Sequence, residues 1–341
     1  MHMSDALVSP AVAGTMYVCS GLLTMYSAKK IELENEKKII PVMGVMGAVV
    51  FSAQMINFSI PGTGSSGHLC GGVLLSSLLG PYAGFLTMVG ILLIQCLMFA
   101  DGGLLALGCN IFNMAAFGCF LGGFLIWKPI MKNGFSKKKI VVAAMLASII
   151  SLQFGAFSVT LQTLLSGITS LPFSVFVAAM QPIHLAIGAV EGVISAAVLI
   201  FIYETRPELL WNGKQTDNTE LINKGGLNWS FKKTIIVLTV LALFTGGVLS
   251  LFASEHPDGL EWSIERLTGD TEVESEGVIY DISQEIQDTT AVLPDYGFAN
   301  ENTTSVISGT SISGIVGALF VAVLCFLICK FIKISRKTAK A

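Results

Sequence analysis

Charge is what this chain has least of: only 13% of its 341 residues are Asp, Glu, Lys or Arg, about half the share of an ordinary soluble domain. That excludes a water-facing globular surface over most of its length. Histidine is scarcer still, with four residues, His2, His68, His184 and His256. No G-x-x-x-x-G-K-[ST] stretch occurs, so ATP hydrolysis is not done by this chain. H-E-x-x-H is also missing, which lowers the case for an intramembrane metalloprotease. None of the seven cysteines lies in the long polar stretch near the C-terminus. They read as small buried residues and not as a disulfide framework. Internal repeats and low-complexity tracts are absent too.

What fills the chain is apolar: 53% of residues are hydrophobic, gathered in stretches long enough to cross ~30 Å of hydrocarbon. Nine spans are expected, near 9–28, 40–58, 67–80, 82–100, 104–127, 140–166, 182–204, 234–253 and 311–332. The expected class is therefore an all-α polytopic protein of the plasma membrane, with the lipid bilayer as its surroundings. An odd number of crossings puts the termini on opposite sides, and the basic residues orient them. Nineteen of the twenty Lys and Arg fall after spans one, five, seven and nine, with Arg266 the exception. The N-terminus is thus expected outside and the C-terminus in the cytoplasm. No Lys or Arg precedes the first span, the reverse of a signal peptide.

The pattern divides into a seven-span part over 1–205, a polar cytoplasmic linker over 206–233 and a two-span hairpin over 234–341. The hairpin carries an outer loop over about 254–310, and thirteen of the twenty-three acids lie between Glu255 and Glu301. Such a loop is expected to raise the local cation concentration by long-range attraction without holding the ion, so its deletion should leave affinity unchanged. Within the first part, the third span is short and follows Pro61-Gly62-Thr63-Gly64-Ser65-Ser66-Gly67-His68. Glycine-broken segments of that kind mark non-helical backbone at membrane depth, which is tolerated only inside protein or beside a cavity.

The candidate chemistry starts at residue two. A free Met1-His2 offers three nitrogens in sequence, the Met1 amine, the His2 amide and its imidazole, which close a five- and a six-membered chelate ring. Nitrogen donors in a plane suit Ni²⁺ or Cu²⁺, and His68 is placed to supply a fourth. The plainer readings are a histidine that merely follows the start and a second that merely sits in a loop. His184 and Glu191 lie two turns apart on one helix face. Either they serve a site, as intramembrane ionisable residues commonly do, or Glu191 satisfies backbone and hydroxyl groups. Asn110 and Asn113 share a helix face and either orient the ligand loop or bond neighbouring helices. The thirteen methionines are read as flexible packing.

Met1-His2-Met3-Ser4-Asp5-Ala6-Leu7-Val8-Ser9-Pro10, Thr63-Gly64-Ser65-Ser66-Gly67-His68-Leu69, Asp101-Gly102-Gly103-Leu104, Leu107-Gly108-Cys109-Asn110 and His184 with Glu191-Gly192 resemble the NikM/CbiM family. These are substrate-capture components of energy-coupling-factor importers for nickel and cobalt. Pro257-Asp258-Gly259-Leu260-Glu261-Trp262 and Pro294-Asp295-Tyr296-Gly297-Phe298 resemble the PDGLE module, a NikN-like accessory component. Cys109 departs from the pattern, which has a small alanine-like residue there.

The resemblance implies a seven-helix bundle of the substrate-binding type plus a hairpin, with the N-terminus plugged into the bundle. It implies metal held by Met1, His2 and His68, with Ser66, Asn110, Asn113, His184 and Glu191 as the surrounding residues. The implied partners are Ni²⁺ or Co²⁺, a transmembrane coupling protein and two ATPase subunits. No resident cofactor, no nucleic acid and no covalent chemistry are expected. The alternatives are a metal sensor using the same site without transport, and a membrane-embedded metalloenzyme.

Overall fold

The computed structural model describes residues 1–31, 36–211, 229–271, 273, 275–298 and 306–338; most of the linker assigned to 206–233 lies outside them. Helices follow the apolar stretches: α1 (Pro10–Lys30), α2 (Glu36–Gln54), α3 (Gly72–Leu79), α4 (Pro81–Phe99), α5 (Leu107–Met131), α6 (Lys137–Ser166), α7 (Phe173–Thr205), α8 (Phe231–Gly247), α9 (Gly259–Thr268), α10 (Val278–Thr290) and α11 (Val306–Thr338). An antiparallel pair, β1 (Phe58–Ile60) and β2 (Ser65–Gly67), sits between α2 and α3. Among the described residues, five helices are long and apolar enough to cross a membrane: α4, α5, α6, α7 and Gly309–Ser335 of α11. The residues of α2 at Ile39–Gln54 form a shorter apolar helix.

The second, third, seventh and eighth boundaries differ from those read in the sequence, the eighth helix stopping at Gly247 and not at residue 253. The second helix stops at Gln54 because Phe58 begins the β pair. The seventh starts at Phe173, not at Pro182, and runs through that proline. Pro182 removes one amide donor, while the carbonyl of Gln181 accepts from Gln153 Nε2 at 2.9 Å.

The third segment is helical only over eight residues. Eight helical residues at ~1.5 Å each make roughly 12 Å, less than half of a bilayer core of ~30 Å, so this segment does not cross as helix alone. The amides of Cys70 and Gly71, which open α3, donate to Glu191 of α7 at 2.8 and 3.1 Å. At the far end Trp211 N–H donates to Ser77 O at 2.8 Å. Gly71 is left-handed at φ 84°, the turn from extended chain into helix that a side chain would oppose.

α6 and α7 pack along each other, α5 against α6, and α2 between α8 and α11. The C-terminal hairpin is not set apart: Gly44 and Gly47 of α2 lie against Ala322, Val321 and Cys325 of α11. Gly314 of α11 meets the Gly246 backbone of α8 so closely that a Cβ there would come within 2.0 Å of the Gly246 carbonyl. Small residues let membrane helices approach in this way. All seven cysteines are free thiols and all but Cys19 are buried.

Candidate metal centre

The N-terminus is a buried plug. Met3, Leu7 and Val8 are fully buried and Met1 is 7% exposed. Unpaired backbone in such a place is costly, and the structure supplies partners. Asn110 accepts from Met3 N–H at 2.7 Å and donates from Nδ2 to Met3 O at 3.1 Å, while Gly103 N–H reaches the same carbonyl at 2.9 Å. Asp5 accepts from Ala106 N–H at 2.9 Å and from the Ser283 hydroxyl at 2.5 Å. The Tyr280 hydroxyl donates to Val8 O at 3.0 Å. The plug is thus gripped by α5, by the α4–α5 loop and by α10 of the outer loop.

Inside the plug, the Met1 amine lies 3.1 Å from His68 Nε2 and forms a short ion pair with Asp258. His68 Nδ1 faces the Leu69 carbonyl at 3.1 Å. A carbonyl only accepts, so the proton sits on Nδ1 and the Nε2 lone pair faces the amine. The His2 ring stacks on His68 with centroids 5.2 Å apart and planes 15° from parallel. Its Nδ1 stands 3.1 Å from Asp101 Oδ1 and its Nε2 3.2 Å from Gln95 Oε1. Burial pulls the His2 pKa below its ordinary value, and Asp101 only partly offsets this.

The outer loop comes down onto this arrangement, and every residue of Pro257-Asp258-Gly259-Leu260-Glu261-Trp262 has a contact. Pro257 O accepts from Ser66 N–H at 2.8 Å. Asp258 is the N-cap of α9, with Oδ1 taking the amides of Leu260 and Glu261 at 2.7 and 3.0 Å; Glu261 returns a capping-box bond. The cap fixes the carboxylate and leaves Oδ2 turned to the Met1 amine and 3.8 Å from His68 Nε2. Burial alone would raise the Asp258 pKa, but the adjacent Met1 ammonium holds it well below the usual carboxylate range. A Cβ on Gly259 would fall 2.9 Å from Ile187 Cδ1 and 3.0 Å from His184 Cε1. Leu260 is buried, and Trp262 Nε1 donates to Thr63 O at 3.0 Å. The expectation that the loop only attracts cations from a distance does not hold, because Asp258 touches the amine itself.

Met1, His2 and His68 therefore meet, and the other residues singled out from the sequence separate by role. Ser66 docks the loop, donating its hydroxyl to His256 O at 2.7 Å; the His256 side chain is exposed. Asn113 exchanges two hydrogen bonds with Gln162 and reaches Met3 Sδ at 3.4 Å. Glu191, for which a backbone role was one of two readings, holds the amides two and three residues past His68. His184 is buried at 1% exposure, gives Nδ1 to Met180 O at 2.8 Å, and has no protein partner at Nε2. Sequence reasoning missed Gln95, Asp101 and Asp258. Gln95 is a lone amide in an otherwise apolar span, and Asp101 an acid closing that span before two glycines; both were visible signals.

The family described as the cobalt uptake substrate-specific transmembrane region, CbiM, matches residues 2–209, and the PDGLE domain matches residues 232–334. The chain belongs to the CbiM family. It is a multi-pass membrane protein in which a CbiM region is joined to a PDGLE domain. It is 35% identical over 210 residues to a protein of Archaeoglobus fulgidus assigned as a fused nickel transport protein NikMN, covering 62% of this chain and 68% of that one. It is 27% identical over 247 residues to the cobalt transport protein CbiM of Geobacter sulfurreducens, covering 72% and 69%. A crystal structure of a truncated transition metal transporter superposes with a TM-score of 0.53 at 29% identity, covering 60% of this chain and 99% of that one. The plug from His2 onward, His68 and Glu191 fall within the CbiM match, and Asp258 within the PDGLE match.

Proposed function

We propose that this chain is the substrate-capture subunit of an energy-coupling-factor importer, taking Ni²⁺ or Co²⁺ from outside the cell and delivering it for ATP-driven uptake. The ligands are the Met1 amine, the His2 amide and imidazole, and His68 Nε2. In a plane of four nitrogens the two chelate rings fix amine, amide and imidazole, so His68 stands opposite the amide and beside the amine. With metal–nitrogen bonds of ~2.0–2.1 Å, adjacent donors are about 2.9 Å apart. The 3.1 Å between the Met1 amine and His68 Nε2 supports the reading: one edge of the square stands nearly at its bonding separation. Loading then requires the His2 ring to exchange Asp101 for the ion at Nδ1.

Seven spans plus a two-span hairpin, an external N-terminus and a cytoplasmic C-terminus complete the reading, with a coupling protein and two ATPase chains as partners and no covalent chemistry here. Four filled nitrogen positions leave no open coordination site for water activation, which argues against a hydrolytic enzyme.

The test is a single residue added before Met1 in the otherwise intact chain. The amine becomes an amide and one chelate ring is lost, while spans and loops keep their sequence. Ni²⁺ affinity should fall by more than about 100-fold, at ~1.4 kcal/mol per tenfold. Undiminished affinity in a folded, extended protein would show that the amine is not a ligand.

A further inference from the structure

The PDGLE residue Gly259 brings the outer loop against His184, a side chain to which neither the chelate nor its supports give a task. His184 lines a small cavity together with Met1, His68, Asp258 and Gly259. Its Nδ1 faces the Met180 carbonyl at 2.8 Å, so that nitrogen carries the proton and Nε2 holds a lone pair. Fixing the tautomer through a carbonyl is how proteins prepare histidine as a metal ligand. Nε2 is buried and has no protein partner among the described residues, and leaving such an atom unpaired is costly. Asp258 offers the complementary donor. Its Oδ1 is occupied by the α9 cap and its Oδ2 faces the Met1 amine, and Asp258 lines the same cavity as His184.

We propose that His184 Nε2 and Asp258 Oδ2 form a transit subsite for a divalent Ni²⁺ or Co²⁺ ion, which is held there before the Met1 amine, the His2 nitrogens and His68 close on it. The inference rests on the metal-capture reading above. Among the described residues no three His, Cys, Asp or Glu side chains stand close enough to hold an ion by themselves, which suits a station that releases its ion to a stronger chelate. One hard oxygen and one imidazole bind such ions weakly beside four nitrogens. The arrangement also gives the PDGLE loop a part in loading: Gly259 allows its approach, and Asp258 bridges from the loop to the chelate.

The experiment uses the full chain with its native N-terminus in lipid nanodiscs and follows Ni²⁺ loading by stopped-flow absorbance of the chelate, alongside equilibrium titration. His184→Phe should slow loading on the order of 10-fold or more while changing final affinity by no more than about threefold; Asp258→Asn should slow loading by a similar factor, and its affinity is not the readout because Asp258 also pairs with the Met1 amine. The double variant should be no slower than the slower single, because both act on one step. His184→Gln serves if the phenylalanine variant does not fold. In the chain extended by one residue, Ni²⁺ titration should show a residual weak site that His184→Phe removes. Loading rates within about threefold of wild type in both single variants, or losses of rate and affinity in equal proportion in His184→Phe, would overturn the proposal. So would a residual weak site unaffected by His184→Phe. Failure of the chelate reading is separate, since it appears as undiminished affinity in the extended chain whatever the loading rates.

Discussion

Glu191 offers the cleanest quantitative test of how the site is built. Its two oxygens take the amides of Cys70 and Gly71 at 2.8 and 3.1 Å, and the carboxylate is fully buried. Glu191→Ala leaves both amides unpaired at membrane depth. At ~1–3 kcal/mol for each buried donor left without a partner, the loss should be about 2–6 kcal/mol. Polar contacts in membrane proteins average only ~0.6 kcal/mol when the unfolded state finds other partners, so the lower half of that range is the expectation if water enters the space. Glu191→Gln keeps one acceptor oxygen and turns an NH₂ group toward the second amide, for roughly half the loss. The assay is reversible unfolding of the purified protein in mixed micelles, with Ni²⁺ titration alongside. Stability should rank Glu above Gln above Ala, and affinity should fall with it, because the anchored amides lie two and three residues past His68. Refutation would be an alanine variant as stable as wild type, or a glutamine variant no better than alanine.

Other outcomes follow from the same geometry. Asn110→Ala removes both bonds to Met3, so the first eight residues should lose hydrogen-exchange protection and Ni²⁺ affinity should drop roughly tenfold; unchanged protection would mean the clamp is idle. His2→Ala and His68→Ala should each abolish most high-affinity binding, and in calorimetry the double variant should be far from the sum of the singles. Reporters placed after Lys233 or Ala341 should read cytoplasmic and one near Glu285 external, as the distribution of Lys and Arg requires; an external C-terminus would refute the nine-span topology.

The helices were legible because hydrocarbon demands long apolar runs, and the broken third segment announced itself through Gly62, Gly64 and Gly67. His68 stood out beside that break. Asp258 did not, because nothing in a sequence shows that an N-cap 257 residues away turns its second oxygen toward the first amine. The Phe173 start of α7 was hidden by Pro182, which reads as a helix opener when the polar partner of its turn, Gln153, belongs to another helix. Glu191 was visible as a buried acid, but its two plausible roles differ only in which atoms lie opposite it, and the sequence does not show that.

The pairing of Met1 with Asp258 also sets an order of biosynthesis. Met1 meets its counter-ion only after 257 more residues have followed, which at ~5–20 residues per second takes roughly 13–50 seconds. Throughout that interval the amine has neither Asp258 beside it nor α10 over the plug. Closing so long a loop is also entropically slow. Seating of the N-terminus against the outer loop thus follows synthesis of that loop, and a chain truncated before it would keep His68 beside the Met1 amine but lack the carboxylate counter-ion.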